Sequence, residues 1–133
     1  MFLVDTNVLS ELTRRAANRG VLAWLANHPT FAVSAVTIEE LVFGIERAPK
    51  GRRAALAEWL ESLRPVIAVV VPIDESVARL AGELRAQREG AGKRVAQADM
   101  LIAASAIVSG CVLVTRNVAD FEGLGATLVN PFR

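Results

Sequence analysis

Apolar residues along the 133-residue chain follow two alternating patterns. Short continuous runs have the length and β-branched content of buried strands: FLV at 2–4, FAVS at 31–34, VIAVVV at 66–71, CVLVT at 111–115 and ATLV at 126–129. The run at 66–71 has no polar interruption, which predicts a strand covered on both faces. Between the runs, apolar positions recur at helical spacing. Val8, Leu9 and Leu12 form one stripe, and Val21, Leu22, Trp24 and Leu25 a second, ended by His28-Pro29. Ile38, Leu41, Val42 and Ile45 mark a helix over 37–47, and Leu56, Trp59, Leu60 and Leu63 another over 52–63, stopped by Pro65. Ala48-Pro49-Lys50-Gly51 reads as the loop between those two. Asp74 opens a helix carrying Val77, Leu80, Ala81 and Leu84, which ends at Gly90. Residues 97–109, QADMLIAASAIVS, form an apolar helix with Gly110 as its stop. Strands alternating with helices predict an α/β domain spanning residues 1–133, a parallel sheet with helices on both faces.

In such sheets the ligand crevice lies beyond the carboxyl ends of the strands. Acidic and amide residues gather at those places. Asp5 follows the first strand, Glu40 lies early in the helix after the second, Asp99 early in the helix 97–109, and Asn117 and Asp120 follow the strand 111–115. Each has a structural alternative. Asp5 or Thr6 can cap a helix, Thr37 and Glu40 have the spacing of a capping box, and Asn117 can cap a short turn. Three acids in one crevice repel, by roughly 4 kcal/mol for a pair about 4 Å apart at an effective dielectric near 20. A cation removes that penalty, and oxygen-only ligands suit Mg²⁺ or Mn²⁺.

Composition narrows the chemistry further. The single histidine, His28, stands beside Pro29, and the single cysteine, Cys111, lies in an apolar run that reads as a buried strand. A zinc site and a serine–histidine triad are therefore disfavoured, and no internal disulfide can form. The start, MFLVDTN, is unlike a signal peptide, and no segment reaches the roughly 20 apolar residues of a membrane helix. A cytoplasmic location is the expectation. Fifteen basic against fourteen acidic residues leave a net charge of only +1, so distribution matters more than the sum. The cations cluster at Arg14, Arg15 and Arg19, at Lys50, Arg52 and Arg53, at Arg85 and Arg88, and at Lys93 and Arg94. Trp24 and Trp59 stand at helical spacing among leucines and read as core or dimer interface. Gly44 reads as a point of close helix packing.

Four motifs carry a family resemblance: FLVDTNVLSEL at the start, SAVTIEELVFGI at 34–45, ADMLIAASA at 98–106 and LVTRNVADFEGL at 113–124, with NPFR closing the chain. In this order they resemble PIN-domain ribonucleases, and most of all the VapC-type toxins of toxin–antitoxin pairs in their FitB-like branch. The resemblance covers essentially the whole chain. It implies a PIN-like fold with a parallel sheet of about five strands, and RNA cleavage dependent on Mg²⁺ or Mn²⁺. It matches Asp5, Glu40 and Asp99 to the family's metal-binding acids and Thr115 to a small hydroxyl residue beside them. Several relatives carry aspartate where this chain has Asn117. Asparagine keeps an oxygen ligand and drops a charge, and Asp120 is the candidate to restore it. Thr6 and Asn7 fall beside Asp5 and are expected to line the site. The resemblance further implies a homodimer or higher assembly, and a cognate antitoxin whose tail fills the acidic groove and whose other end binds operator DNA. RNA approaching acids needs flanking cations, for which Lys93, Arg94 and Arg116, then Arg14 and Arg15, are the candidates.

Rival readings are separable. A phosphatase with Asp5 as nucleophile commonly needs a second acid two residues on, where Asn7 stands. A phospho-accepting receiver domain needs an acid pair after the first strand and a lysine after the last, and Asn130-Pro131-Phe132-Arg133 offers none. A PIN-like module that binds without catalysis is the third, kept open by Asn117.

Overall fold

The computed structural model describes residues 1–133. Five strands form one sheet in the order β3-β2-β1-β4-β5: β1 Phe2–Val4, β2 Phe31–Ser34, β3 Ile67–Val71, β4 Val112–Val114 and β5 Leu128–Val129. Every neighbouring pair is parallel. The helices are α1 Thr6–Ser10, α2 Arg19–Asn27, α3 Ala35–Arg47, α4 Lys50–Ser62, α5 Glu75–Gly90, α6 Gln97–Ser109 and α7 Val118–Phe121, with a 3₁₀ turn at Glu11–Thr13 after α1.

Period-two alternation sorts the strand residues between two cores. Leu3, Ala32 and Leu113 face one, where Val77, Ala81 and Leu84 of α5 meet Met100, Ile102 and Ala103 of α6. Val4, Val33 and Val114 face the other, with Val8 and Leu9 of α1, Val21 of α2 and Leu41 of α3. Helix α6 lacks a polar stripe because both its sides are covered; Met100, Ile102, Ala103, Ala104 and Ala106 are all buried. Gly110 ends it at φ 68°, the left-handed conformation glycine adopts without a Cβ penalty.

The expected elements are present, with corrections at particular places. The strand expected to be covered on both faces is an edge strand, and Ala68, Val69 and Val70 are exposed. Its apolar run reflects a surface, not an interior. Helix α4 begins at Lys50, with Pro49 at its N-cap, so the expected loop 48–51 shrinks to a two-residue joint. Proline there is compatible because its missing N–H would have no helical partner. Cys111 is half-buried just ahead of β4. Helix α7, only four residues long, has no periodicity to announce it. His28 is half-buried, its ring stacked on Trp24 at 4.0 Å and its Nδ1 2.7 Å from the Trp24 carbonyl oxygen.

Candidate active site

Asp5 leaves the carboxyl end of β1, the central strand, and caps α1. Its Oδ1 accepts from the Thr6 N–H at 2.7 Å. Its Oδ2 accepts from the Thr115 hydroxyl at 2.8 Å and from Asn7 Nδ2 at 3.2 Å. The capping and site readings of Asp5 therefore coincide in one side chain. Thr115, fully buried, also accepts from the Asn117 N–H at 3.1 Å, which pins the loop after β4 to Asp5. Asn7 Oδ1 accepts from the Arg116 N–H at 3.3 Å and ties the same loop to α1.

Glu40 is held differently from the expectation. Helix α3 begins at Ala35, capped by Ser34, whose hydroxyl accepts from the Val36 N–H at 3.1 Å. Thr37 and Glu40 consequently lie inside the helix, and no capping box exists. Glu40, in the second turn, is free for another role. Its Oε1 accepts from the Thr6 hydroxyl at 2.7 Å. Thr6 has a single proton, so its 3.0 Å hydrogen bond with Thr37 has Thr37 as donor. The chain Thr37–Thr6–Glu40 aims the glutamate toward α1.

Asp99 lies in the first turn of α6, half-buried, with no hydrogen-bond partner of its own. Asp120, exposed on α7, is near enough for its charge to act on Asp99. Burial pushes the Asp99 carboxyl above its ordinary range, with the charges of Glu40 and Asp120 adding to the effect. Burial raises Asp5 to about 6, against the lowering by Thr115 and the Thr6 N–H, with Asp99 and Glu40 contributing further upward pressure. The four ion pairs of the structure, Arg14–Glu11, Arg64–Glu61, Arg79–Glu75 and Arg85–Glu89, leave all these acids out. Four carboxylates thus share one field with no cation of the protein among them.

The donor set fits a hard divalent cation. It is all oxygen, it lacks His and Cys, and the neighbouring carboxylates add to the raised proton affinity of Asp5 and Asp99. No three acidic, imidazole or thiol groups converge into a ready-made cage.

The cations stand at the rim. Lys93 and Arg94 are exposed in the loop leading into α6. They line an open hollow with Arg85 and Glu89. Arg14 and Arg15 line a second hollow with Thr13 and Arg52. Arg116 is exposed beside the centre, its guanidinium 4.8 Å from the Phe132 ring. Asn117 is exposed and its side chain caps nothing.

Three contributors carried no separable sequence signal. Thr37, half of the expected capping box, aligns Thr6. Arg88 donates to the main-chain carbonyls of Asp120, at 3.2 Å, and Glu122, and so holds the end of α7. Buried Glu11 accepts from the Asn18 N–H at 2.8 Å and orders the turn before α2.

Comparison with known proteins agrees with this geometry. The PIN-domain family profile matches residues 2–124. VapC ribonuclease Y4jK of Sinorhizobium fredii is 36% identical, with 99% of this chain and 98% of the relative covered. Toxin FitB of Neisseria gonorrhoeae is 35% identical, with 99% of each covered. A solved structure of FitAB bound to an IR36 DNA fragment superposes with a TM-score of 0.87 at 31% identity, covering 100% of this chain and 96% of that one. With the family profile matching most of its length and relatives at 35–36% identity covering nearly all of it, the chain belongs to the PIN-domain family, among the VapC-type and FitB-like proteins.

Proposed function

We propose that this protein is a metal-dependent endoribonuclease acting as the toxin of a toxin–antitoxin pair, with Asp5, Glu40 and Asp99 as its metal-binding acids. The observation that carries this reading is the group of acids around the end of β1, unpaired by any cation of the chain, with Asp5 and Asp99 raised in proton affinity. Homologues named ribonuclease and toxin at 35–36% identity over the full length support the same activity. Nucleases of the PIN family generally use divalent metals, and Mg²⁺, with Mn²⁺ as substitute, is the ion proposed here.

When bound, the metal supplies positive charge that neutralises the acids and lowers the proton affinity of a water directed at a phosphodiester. The protein's own groups prepare that event. Thr115, Asn7 and the Thr6 N–H fix the orientation of the Asp5 carboxylate. Thr6 fixes Glu40. Asp120 adds a negative charge beside Asp99 in place of the one Asn117 lacks, while the uncommitted Asn117 side chain lines the approach. Lys93, Arg94, Arg116, Arg14 and Arg15 hold the phosphates of the strand on either side of the cut.

Partners follow from the same family. FitAB is a complex seated on DNA, and we place this chain with an antitoxin that carries the operator contact. A homodimer is proposed as its working unit, supported by exposed apolar side chains at Val42, Phe43, Val69 and Val70. No helix is long and apolar enough to cross a membrane, and a cytoplasmic location is part of the proposal.

The test is cleavage of RNA with Mg²⁺ and with chelator, comparing wild type with Asp5→Asn and Asp99→Asn. Cleavage is expected only with metal and wild type, and both variants are expected to stay folded. Metal-dependent cutting that persists in Asp5→Asn sinks the site assignment. A wild type that binds Mg²⁺ but cuts no RNA returns the molecule to the non-catalytic binding reading.

A further inference from the structure

Between α1, the following 3₁₀ turn, α3 and α4 lies a cavity of about 210 Å³ whose lining includes Glu40. Leu41, Ile45 and Leu56 line its apolar side, Trp59 stands among them, and Thr6, Ser10 and Thr13 bring hydroxyls. Gly44 lines it too. The expectation that Gly44 serves close helix packing does not hold, because a Cβ there would meet nothing within 4 Å. The absent side chain leaves space. Trp59 is half-buried against the second core and lines this cavity, so one residue serves both.

We propose that this cavity is a nucleobase pocket, taking the base of a nucleotide next to the scissile phosphate of a single-stranded RNA. The inference rests on the ribonuclease reading above and adds where part of the sequence preference arises. Three observations on the molecule favour a base. The volume is below the roughly 300–1,000 Å³ of pockets for drug-sized ligands, which limits the occupant to about one heterocycle. The lining combines an aromatic residue and aliphatic groups with a few hydroxyls, suited to a flat π-face with polar edges. The cavity also touches two charge environments. Glu40 is part of its lining, and Thr13, another lining residue, is shared with the hollow lined by Arg14, Arg15 and Arg52. Only Arg14 of those three has an acidic partner, Glu11 at 3.5 Å. A strand whose scissile phosphate lies at the acids and whose base enters the cavity brings its next phosphate to these guanidinium groups. Arg52 thereby joins Arg14 and Arg15 as a phosphate contact.

The experiment compares wild type, Gly44→Leu, Trp59→Phe and Trp59→Ala on a randomised single-stranded RNA pool with Mg²⁺. Sequencing of the cut ends gives the base preference, and steady-state kinetics on one good substrate gives KM and kcat separately. Gly44→Leu adds a bulky side chain at an exposed position of the cavity lining, where a Cβ meets nothing within 4 Å, and should keep the fold, as thermal melting will show. It is expected to raise KM about tenfold, the scale of one lost base stack, and to flatten the preference at one position flanking the cut, with kcat changed less than about threefold. Trp59→Phe should keep the preference and Trp59→Ala should lose it. An unchanged KM and preference in folded Gly44→Leu overturns the pocket while leaving the ribonuclease reading intact. A Gly44→Leu protein that cuts RNA normally but escapes inhibition by its protein partner also overturns it, and gives the cavity to that partner. No cleavage by wild type under the same conditions removes the ribonuclease reading itself.

Discussion

Asp5 carries its charge where a charge costs stability. Only 4% of it is exposed, and its carboxyl is raised from 3.8 to about 6. A raised folded-state value means the native protein binds the proton more tightly than the unfolded chain. The contribution to stability is therefore complete below about pH 4 and is lost as pH rises through about 6. A rise of that size corresponds to about 3 kcal/mol, an upper bound on the penalty at neutral pH. Asp5→Asn removes the charge but weakens the bonds from Asn7 and Thr115, so a net gain of about 1 kcal/mol, at most about 2, is expected at pH 7.5 in chelator. Urea denaturation of the two proteins at pH 7.5 and pH 4 checks this: the gap should shrink toward zero at the lower pH. Mg²⁺ should raise the melting temperature of wild type and leave Asp5→Asn nearly unmoved. Much of this residue's role was legible from its place after the first strand. The Thr115 contact, 110 positions away, was expected only through resemblance, since hydrogen bonds between distant segments leave no periodicity in a sequence.

At the scale of elements, the sequence reads best where burial is one-sided or complete and worst where neighbours decide. Helices α5 and α6 fall where their caps and stripes put them, Asp74 accepting from the Val77 N–H at 3.0 Å. Strand β3 looks like a central strand because its composition is β-branched, but strand order is a tertiary property and puts it at the edge. Ser34 displaced the expected capping box because the last residue of a strand can also start the next helix. Helix α7 is held from outside by Arg88, a cation at the negative end of a short helix. Arg88→Ala should cost about 1–2 kcal/mol in stability through the lost carbonyl contacts. It should also speed hydrogen exchange across 117–122 more than elsewhere, whereas uniform exchange would mean that α7 stands without Arg88. At the start of α2, Asn18 Oδ1 accepts from the Gly20 N–H at 2.9 Å and from the Arg133 N–H at 3.2 Å, latching the chain's end to the helix. A Cβ on Gly20 would stand 2.3 Å from the Pro131 carbonyl oxygen. Gly20→Ala is therefore expected to lose about 1–3 kcal/mol and to expose residues 130–133 to carboxypeptidase, with protection equal to wild type counting against the latch.

Over the whole molecule, near-neutrality conceals a separation of charge. Fifteen cations and fourteen anions nearly cancel, yet Asp5, Glu40, Asp99 and Asp120 form a group without an ion pair while arginines and lysines line two separate hollows. Sequence clusters showed which cations exist; that Arg14 and Arg52, far apart along the chain, line one hollow is a tertiary property. RNA binding should then be electrostatic at the rim and repulsive at the middle until a metal is present. If about four phosphates are engaged, single-strand affinity should fall roughly fiftyfold between 50 and 200 mM salt, from a slope near −0.7 per phosphate. Arg14→Gln with Arg15→Gln, and Lys93→Gln with Arg94→Gln, should each lower that slope, because each removes counterion release at one hollow only. Combining the pairs should flatten it further, since the two hollows share no lining residue that would make the effects redundant. Fluorescence anisotropy of a labelled RNA, measured with Asp99→Asn to prevent cutting, reads these slopes directly. A slope unchanged by either pair would mean that the strand does not cross this end of the sheet, and the charge separation would then serve only the metal and the protein partner.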